Sequence, residues 1–159
     1  MGKRQRTDGE KVFASNRQAL HNYFIDERYE AGIVLLGTEV KSIRAGKVNL
    51  KEGYARLDGR EIVLFSCHIS PYSHGGYSNH DPLRPRKLLL HRQEIQRIKQ
   101  KTRSGGATLI PLRMYLARGH VKVEIALARG KKLWDKRESI RSREQDREAR
   151  AAVRGRRGT

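Results

Sequence analysis

The chain has a single cysteine, Cys67, so no intramolecular disulfide can form and no cluster of thiolates can hold a metal. No run approaches the ~18 apolar residues that a membrane-spanning helix requires. The opening residues, Met1 to Lys11, are basic and lead into Val12-Phe13-Ala14 rather than into an apolar stretch, so no secretory signal is expected. These absences read as cytoplasmic. Gly75-Gly76 and Gly105-Gly106 lack the Lys-Ser/Thr or the strand-to-helix setting of a phosphate-binding loop, which argues against nucleotide hydrolysis. No cofactor, metal or small-molecule substrate is expected. Acidic residues are scarce as well, 17 against 35 Lys+Arg.

The resulting net charge of +18 repels basic partners and attracts nucleic acid. An anionic membrane is the rival, but the basic tail has no apolar face wide enough to lie in lipid. The length, 159 residues, accommodates one domain of about 110 to 130 residues plus ends. Residues 1–12 form a flexible basic N-terminus, 13–128 a folded body, and 129–159 a basic tail. That tail holds twelve Lys/Arg against five Asp/Glu, with only Leu133, Trp134, Ile140 and Val153 as sizeable apolar side chains. It cannot bury a core of its own and is expected to be disordered when free.

Asn16 suits the cap of a short helix over Arg17 to Tyr23, and a long interrupted strand follows to Leu36. Thr38 to Arg44 makes one or two helical turns stopped by Gly46. Tyr54 to Phe65 reads as a hairpin turning at Asp58-Gly59, because an Asp-Gly pair between β-rich runs favours a tight turn. His68 to Pro85 holds three of the four prolines and little periodicity, so a long loop is expected. Ile95 and Ile98 mark a helix from His91 to Lys101, and Thr108 to Leu127 a second hairpin turning at Arg118-Gly119. Its second strand alternates strictly, which predicts one buried face. The pattern is mainly β: an OB-like closed antiparallel β-barrel with two or three short helices, a form that often binds oligonucleotides.

The candidate residues follow from chemistry. His68, His74 and His80 with Asp81 could form an acid–base pair of a ribonuclease, but their spacing fits no standard ligand or catalytic pattern, and no catalytic residue is assigned. Glu30 lies in an apolar strand and cannot serve phosphate; it either pairs with an arginine or accepts hydrogen bonds from base or ribose. Arg84, Arg86 and Lys87 are expected phosphate contacts or a solvated face. In Leu88-Leu89-Leu90 one leucine must point outward, where it can pack on a nucleotide. In the tail, Lys132, Lys136, Arg143, Arg147, Arg150 and Arg154 are spaced 4, 7, 4, 3 and 4 apart, one stripe of a helix that forms on RNA. Trp134 among these cations either stacks on a base or packs on the body.

From Asn16 to about Arg147 the chain resembles the SmpB family, the tmRNA-binding (SsrA-binding) proteins of bacterial trans-translation. The resemblance is carried by Tyr29-Glu30-Ala31-Gly32-Ile33-Val34-Leu35, Gly37 to Gly46, Asp81 to Leu90, and Gly130-Lys131-Lys132-Leu133-Trp134-Asp135-Lys136-Arg137. It implies an OB-like barrel that binds the tRNA-like domain of tmRNA and helps deliver it, with elongation factor Tu, to stalled ribosomes. It also implies a tail that becomes helical in the empty mRNA channel. By position, Asn16, Glu30 and Leu89 look like the family's tmRNA-binding residues, with His21, Lys41, Arg44 and Lys87 around them. Gly130, Lys131, Lys132 and Trp134 resemble the set facing small-subunit rRNA at the decoding centre, with Asp135, Lys136, Arg137, Arg143 and Arg147 continuing the ribosome-binding tail. The family commonly has Tyr or His where this chain has Trp134; a larger ring still stacks, with different hydrogen bonding. Without the resemblance, a basic ribosomal or ribosome-assembly protein is the alternative.

Overall fold

Alternation of apolar and polar residues over Val121 to Leu127 builds one of the three 11-residue strands of the sheet. A computed structural model describes residues 10–131, 141 and 143–151. In chain order its elements are β1 (Lys11–Ser15), α1 (Arg17–Asn22), β2 (Tyr23–Ile33), α2 (Gly37–Arg44), β3 (Val48–Asn49), β4 (Tyr54–Asp58), β5 (Glu61–Phe65), β6 (His68–Ile69), β7 (Arg86–Leu89), α3 (Arg92–Arg103), β8 (Ala107–Ala117) and β9 (His120–Gly130). Residues 141 and 143–151 are helical and exposed. The fold is mainly β. A seven-stranded antiparallel sheet runs β1-β8-β4-β5-β7-β2-β9, with β8 also paired to β9, and β3 pairs with β6.

The turn between β8 and β9 is Arg118-Gly119, both at positive φ, the geometry of a two-residue hairpin whose twist matches its strands. The other hairpin turns at Gly59-Arg60, since Asp58 pairs with Glu61; Gly59 takes the positive φ one position later than the Asp-Gly reading placed the turn. Pro111, awkward inside a strand, sits where β8 is irregular against β9, between Pro111 and Arg113, as a residue without an N–H must.

The interior is filled by Ile43, Leu50, Ile62, Leu64, Ile69, Leu88, Ile98, Leu109, Met114, Val123, Ile125 and Leu127. Val123, Ile125 and Leu127 supply the predicted buried face of β9. The opposite face is buried too: Ala126 and Ala128, with Ile110 and Leu112 of β8, pack beneath Ala19 of α1. Small alanines let that helix approach the sheet.

Other expectations change. Lys11 and Val12, assigned to the flexible N-terminus, belong to β1 and pair with Leu116 and Tyr115. The loop expected over His68 to Pro85 contains β6 and a 3-10 turn, Gly76–Ser78, and Ile69 pairs with Val48. β9 runs to Gly130, two residues beyond the expected end of the body.

Candidate nucleic-acid interface

Strand parity decides which side chains of β7 reach solvent. Arg86 and Leu88 point inward, whereas Lys87 and Leu89 point outward; Leu88 is 2 % exposed and Leu89 50 %. Leu89 pairs across the sheet with Gly32, and a Cβ on Gly32 would lie 3.2 Å from the leucine Cβ. Glycine therefore lets the leucine lie close over β2. Glu30, two positions before Gly32, shares that outer face. Lys87 completes the group, its Nζ 2.8 Å from Glu61.

The hydroxyl of Tyr115 donates to the Glu30 carboxylate. Burial, then this hydrogen bond, raises the Tyr115 hydroxyl well above the usual phenol range, so it remains a donor. The Arg113 guanidinium lies 4.2 Å from the Tyr115 ring centroid and donates to Glu124 at 3.1 Å and Glu10 at 3.0 Å. Arg28 reaches the other oxygen of Glu124 at 3.4 Å. Glu30 thus sits beside one ring and a set of paired charges, and accepts a hydrogen bond from that ring's hydroxyl. Sequence reasoning missed Tyr115 and Arg113. Their shared strand face, two positions apart and opposite the core-facing Met114, was the available signal.

Arg86 corrects an expectation. Its side chain is fully buried, paired with Glu39, and donates to the carbonyls of Cys67 and, at 3.2 Å, Pro82. It is spent inside the protein and cannot meet a phosphate. Arg84, partly exposed, donates to the same Glu39 carboxylate. Glu39 also accepts from the Leu36 amide at 2.8 Å, closing the start of α2. Burial pushes the Glu39 carboxyl up, but hydrogen bonds from Arg84, Leu36 and Arg86 outweigh it and hold the group below the usual carboxylate range. The pairs leave Lys41 and Arg44 exposed on the other side of α2.

Asn16 is also turned inward. It is buried, and its amide donates to the carbonyls of Pro111 at 3.1 Å and Leu50 at 3.4 Å, tying the start of α1 to β8 rather than capping it. Those donors are unavailable to RNA. His21 is half-buried at the end of α1, close to where Gly130 pairs with Tyr23 and the Lys131 amide donates to Asn22 at 2.9 Å. Seven residue steps along β2 separate Tyr23 from Glu30, about 23 Å at ~3.3 Å each. His21, Gly130 and Lys131 therefore gather at one end, and Glu30, Leu89 and Lys87 toward the other. Lys131 also holds its ammonium 5.0 Å from the centroid of the exposed Phe24 ring. Lys132, Trp134, Asp135, Lys136 and Arg137 lie outside the described residues, while Arg143 and Arg147 are helical and exposed.

The histidines do not assemble as an acid–base site. His80 is buried; its Nε2 donates to the Ile69 carbonyl, leaving Nδ1 to accept from the Thr38 hydroxyl, both at 2.9 Å, because a carbonyl can only accept. His68 and His74 are exposed. Among the described residues, no group of three or more His, Cys, Asp or Glu side chains could hold a metal ion. Burial pushes the Cys67 thiol up to about 11, which leaves it protonated and unreactive.

Comparison with known proteins gives one family. The SmpB protein family model matches residues 13–155. The SsrA-binding protein of Caldanaerobacter subterraneus subsp. tengcongensis is 59% identical over 138 residues, 87% of each chain. That of Desulforudis audaxviator is 57% identical over 146 residues, 92% of this chain and 95% of the relative. A solved chain described as "tmRNA-SmpB: a journey to the center of the bacterial ribosome" superposes with a TM-score of 0.65 at 49% identity, covering 80% of this chain and 94% of its own.

Proposed function

The chain belongs to the SmpB protein family, and from that premise we propose that it is a non-enzymatic, cytoplasmic RNA-binding adaptor. It binds the tRNA-like domain of tmRNA and promotes its delivery, with elongation factor Tu, to stalled ribosomes for trans-translation. The observation that carries this reading is the outer face of β2 and β7, where exposed Leu89 lies over Gly32 beside Glu30. An apolar side chain next to a tyrosine-braced carboxylate can pack on a nucleotide and accept from base or ribose groups, which gives selectivity that charge alone cannot. Lys87, Lys41 and Arg44 supply phosphate contacts around it. Pairing of β8 with β9 as well as with β4 brings the sheet back onto itself and supports an OB-like closed barrel. Gly130, Lys131 and the basic tail form the ribosome-facing part, entering the mRNA channel as a helix near the decoding centre.

The test is the Glu30→Ala variant, measured against the tRNA-like domain of tmRNA and an unrelated duplex of equal length. Loss of a hydrogen bond to a charged group, about 1.5–3 kcal/mol, predicts about tenfold or greater weakening on tmRNA and little change on the duplex. Equal weakening on both would return Glu30 to a purely internal role.

A further inference from the structure

The segment between β6 and β7 presents two rings on a braced turn, with a cation of α2 held against one of them. The His74 ring meets the Tyr72 ring edge-on, with centroids 5.5 Å apart and planes at 70°. Lys41 of α2 holds its ammonium 5.3 Å from the Tyr72 centroid. The turn is fixed from below by Asn79, whose amide pairs with both sides of Tyr72: the Tyr72 amide donates to Asn79 Oδ1 at 3.0 Å, and Asn79 Nδ2 donates to the Tyr72 carbonyl at 2.7 Å. Gly75 makes that pairing possible, since a Cβ there would fall 2.8 Å from Asn79 Nδ2. On one side the Ser70 amide donates to the Lys47 carbonyl at 3.0 Å, and on the other buried His80 bridges Thr38 and Ile69. His74 nevertheless remains exposed, with Lys41, Arg44 and Lys47 exposed on the adjoining helix and its end.

A solvent-facing ring on a turn tied at this many points has already lost the freedom that binding would otherwise have to remove. From this arrangement we infer that the 70–80 turn is a second RNA contact, a stacking site for one unpaired nucleotide of tmRNA. The base lies on the His74 ring, Tyr72 fixes the tilt of that ring, and Lys41 leans from the tyrosine to the flanking phosphate. Rings among cations match a nucleotide whose base face is open, and a fully paired helix offers none. The inference rests on the tmRNA-adaptor reading and extends it from the β2–β7 face to the turn that Lys41 of α2 joins to it.

The test uses the full chain with two probes, the tRNA-like domain of tmRNA and a fully paired RNA of matched length. His74→Ala should bind the tRNA-like domain about tenfold or more weakly and the duplex as the parent does. The salt dependence should be unchanged, because no phosphate-neutralising cation is removed. His74→Phe should restore binding, as stacking requires a ring and not an imidazole. Asn79→Ala keeps both rings but removes the brace, and should also weaken binding to the tRNA-like domain alone. Parent-like affinity of both His74→Ala and Tyr72→Ala overturns the inference, as does equal weakening on both probes. A parent protein that fails to prefer the tRNA-like domain sinks the adaptor reading instead, so the two failures are distinguishable.

Discussion

Arg86 is the largest of the fully buried side chains, and its charge is balanced within reach: Glu39 lies against its Nε while the carbonyls of Cys67, Asp81 and Pro82 take its other donors. Such a pair contributes little beyond an apolar substitute of the same volume, but removing one member strands the other in a low dielectric. Arg86→Ala should therefore cost about 3–5 kcal/mol of unfolding free energy, read from urea denaturation. Adding Glu39→Ala to it should recover part of that loss, because the buried carboxylate that kept only Arg84 and the Leu36 amide as donors is then gone. Recovery would identify the cost as stranded charge; a double variant less stable than the single would point to packing. Any loss of RNA binding in Arg86→Ala should follow the unfolded fraction, unlike the loss in Glu30→Ala. Glu39 itself, held below the usual carboxylate range, adds stability above the ordinary carboxylate pKa and loses it as pH falls through its own lowered value.

At the scale of elements, α3 is held to β2 by both kinds of force. Ile98 is buried in the core and Ile95 packs against it, while Glu27 receives Arg97 at 2.8 and 3.1 Å together with Lys101 and the Tyr29 hydroxyl. The irregularity of β2 between Ile25 and Glu27 lies immediately before this carboxylate. Hydrogen bonds from Arg97, Lys101 and Tyr29 lower its pKa from 4.5 to about 2. The folded value is depressed, so the stabilisation is complete above about 4.5 and disappears as pH falls toward 2. Protection of the α3 amides from hydrogen exchange, taken relative to the intrinsic rate at each pH, should fall across that window, and Glu27→Gln should flatten the change.

The hairpins and α3 were legible because period-two and i,i+3 patterns are local. The inward turn of Arg86 was legible in principle: if Leu89 points out, parity sends Lys87 out and Arg86 in. Arg84, Arg86 and Lys87 looked alike until the register was known. Asn16 was read correctly as the start of α1 and wrongly as its side-chain cap, since its acceptors at Leu50 and Pro111 lie 34 and 95 residues away. The same distance hid Glu30 and Tyr115 from each other, 85 residues apart.

For the whole molecule, the net charge of +18 is carried in part by the twelve Lys/Arg from Arg129 onward. Because Gly130 still pairs with Tyr23 and Lys131 with Asn22, Lys131 is the last residue a truncation should keep. Ending the chain there should leave affinity for the tRNA-like domain within about threefold, abolish peptide tagging on stalled ribosomes, and make the logarithmic salt slope of ribosome binding shallower, each lost phosphate contact being worth about 0.9 of slope on a duplex and about 0.7 on a single strand. Equal loss of tmRNA binding and tagging would contradict a division of labour between body and tail. Pairing of β1 with β8 carries a consequence of another kind. Lys11 meets Leu116, 105 residues later in the order of synthesis, and at ~5–20 residues per second the first strand waits about 5 to 20 s for its partner. During that interval Val12-Phe13-Ala14 is an unpaired apolar edge on a nascent chain. The charges just before it, Lys3, Arg4, Arg6, Asp8, Glu10 and Lys11, then act as gatekeepers that keep it from pairing with its neighbours on the same message.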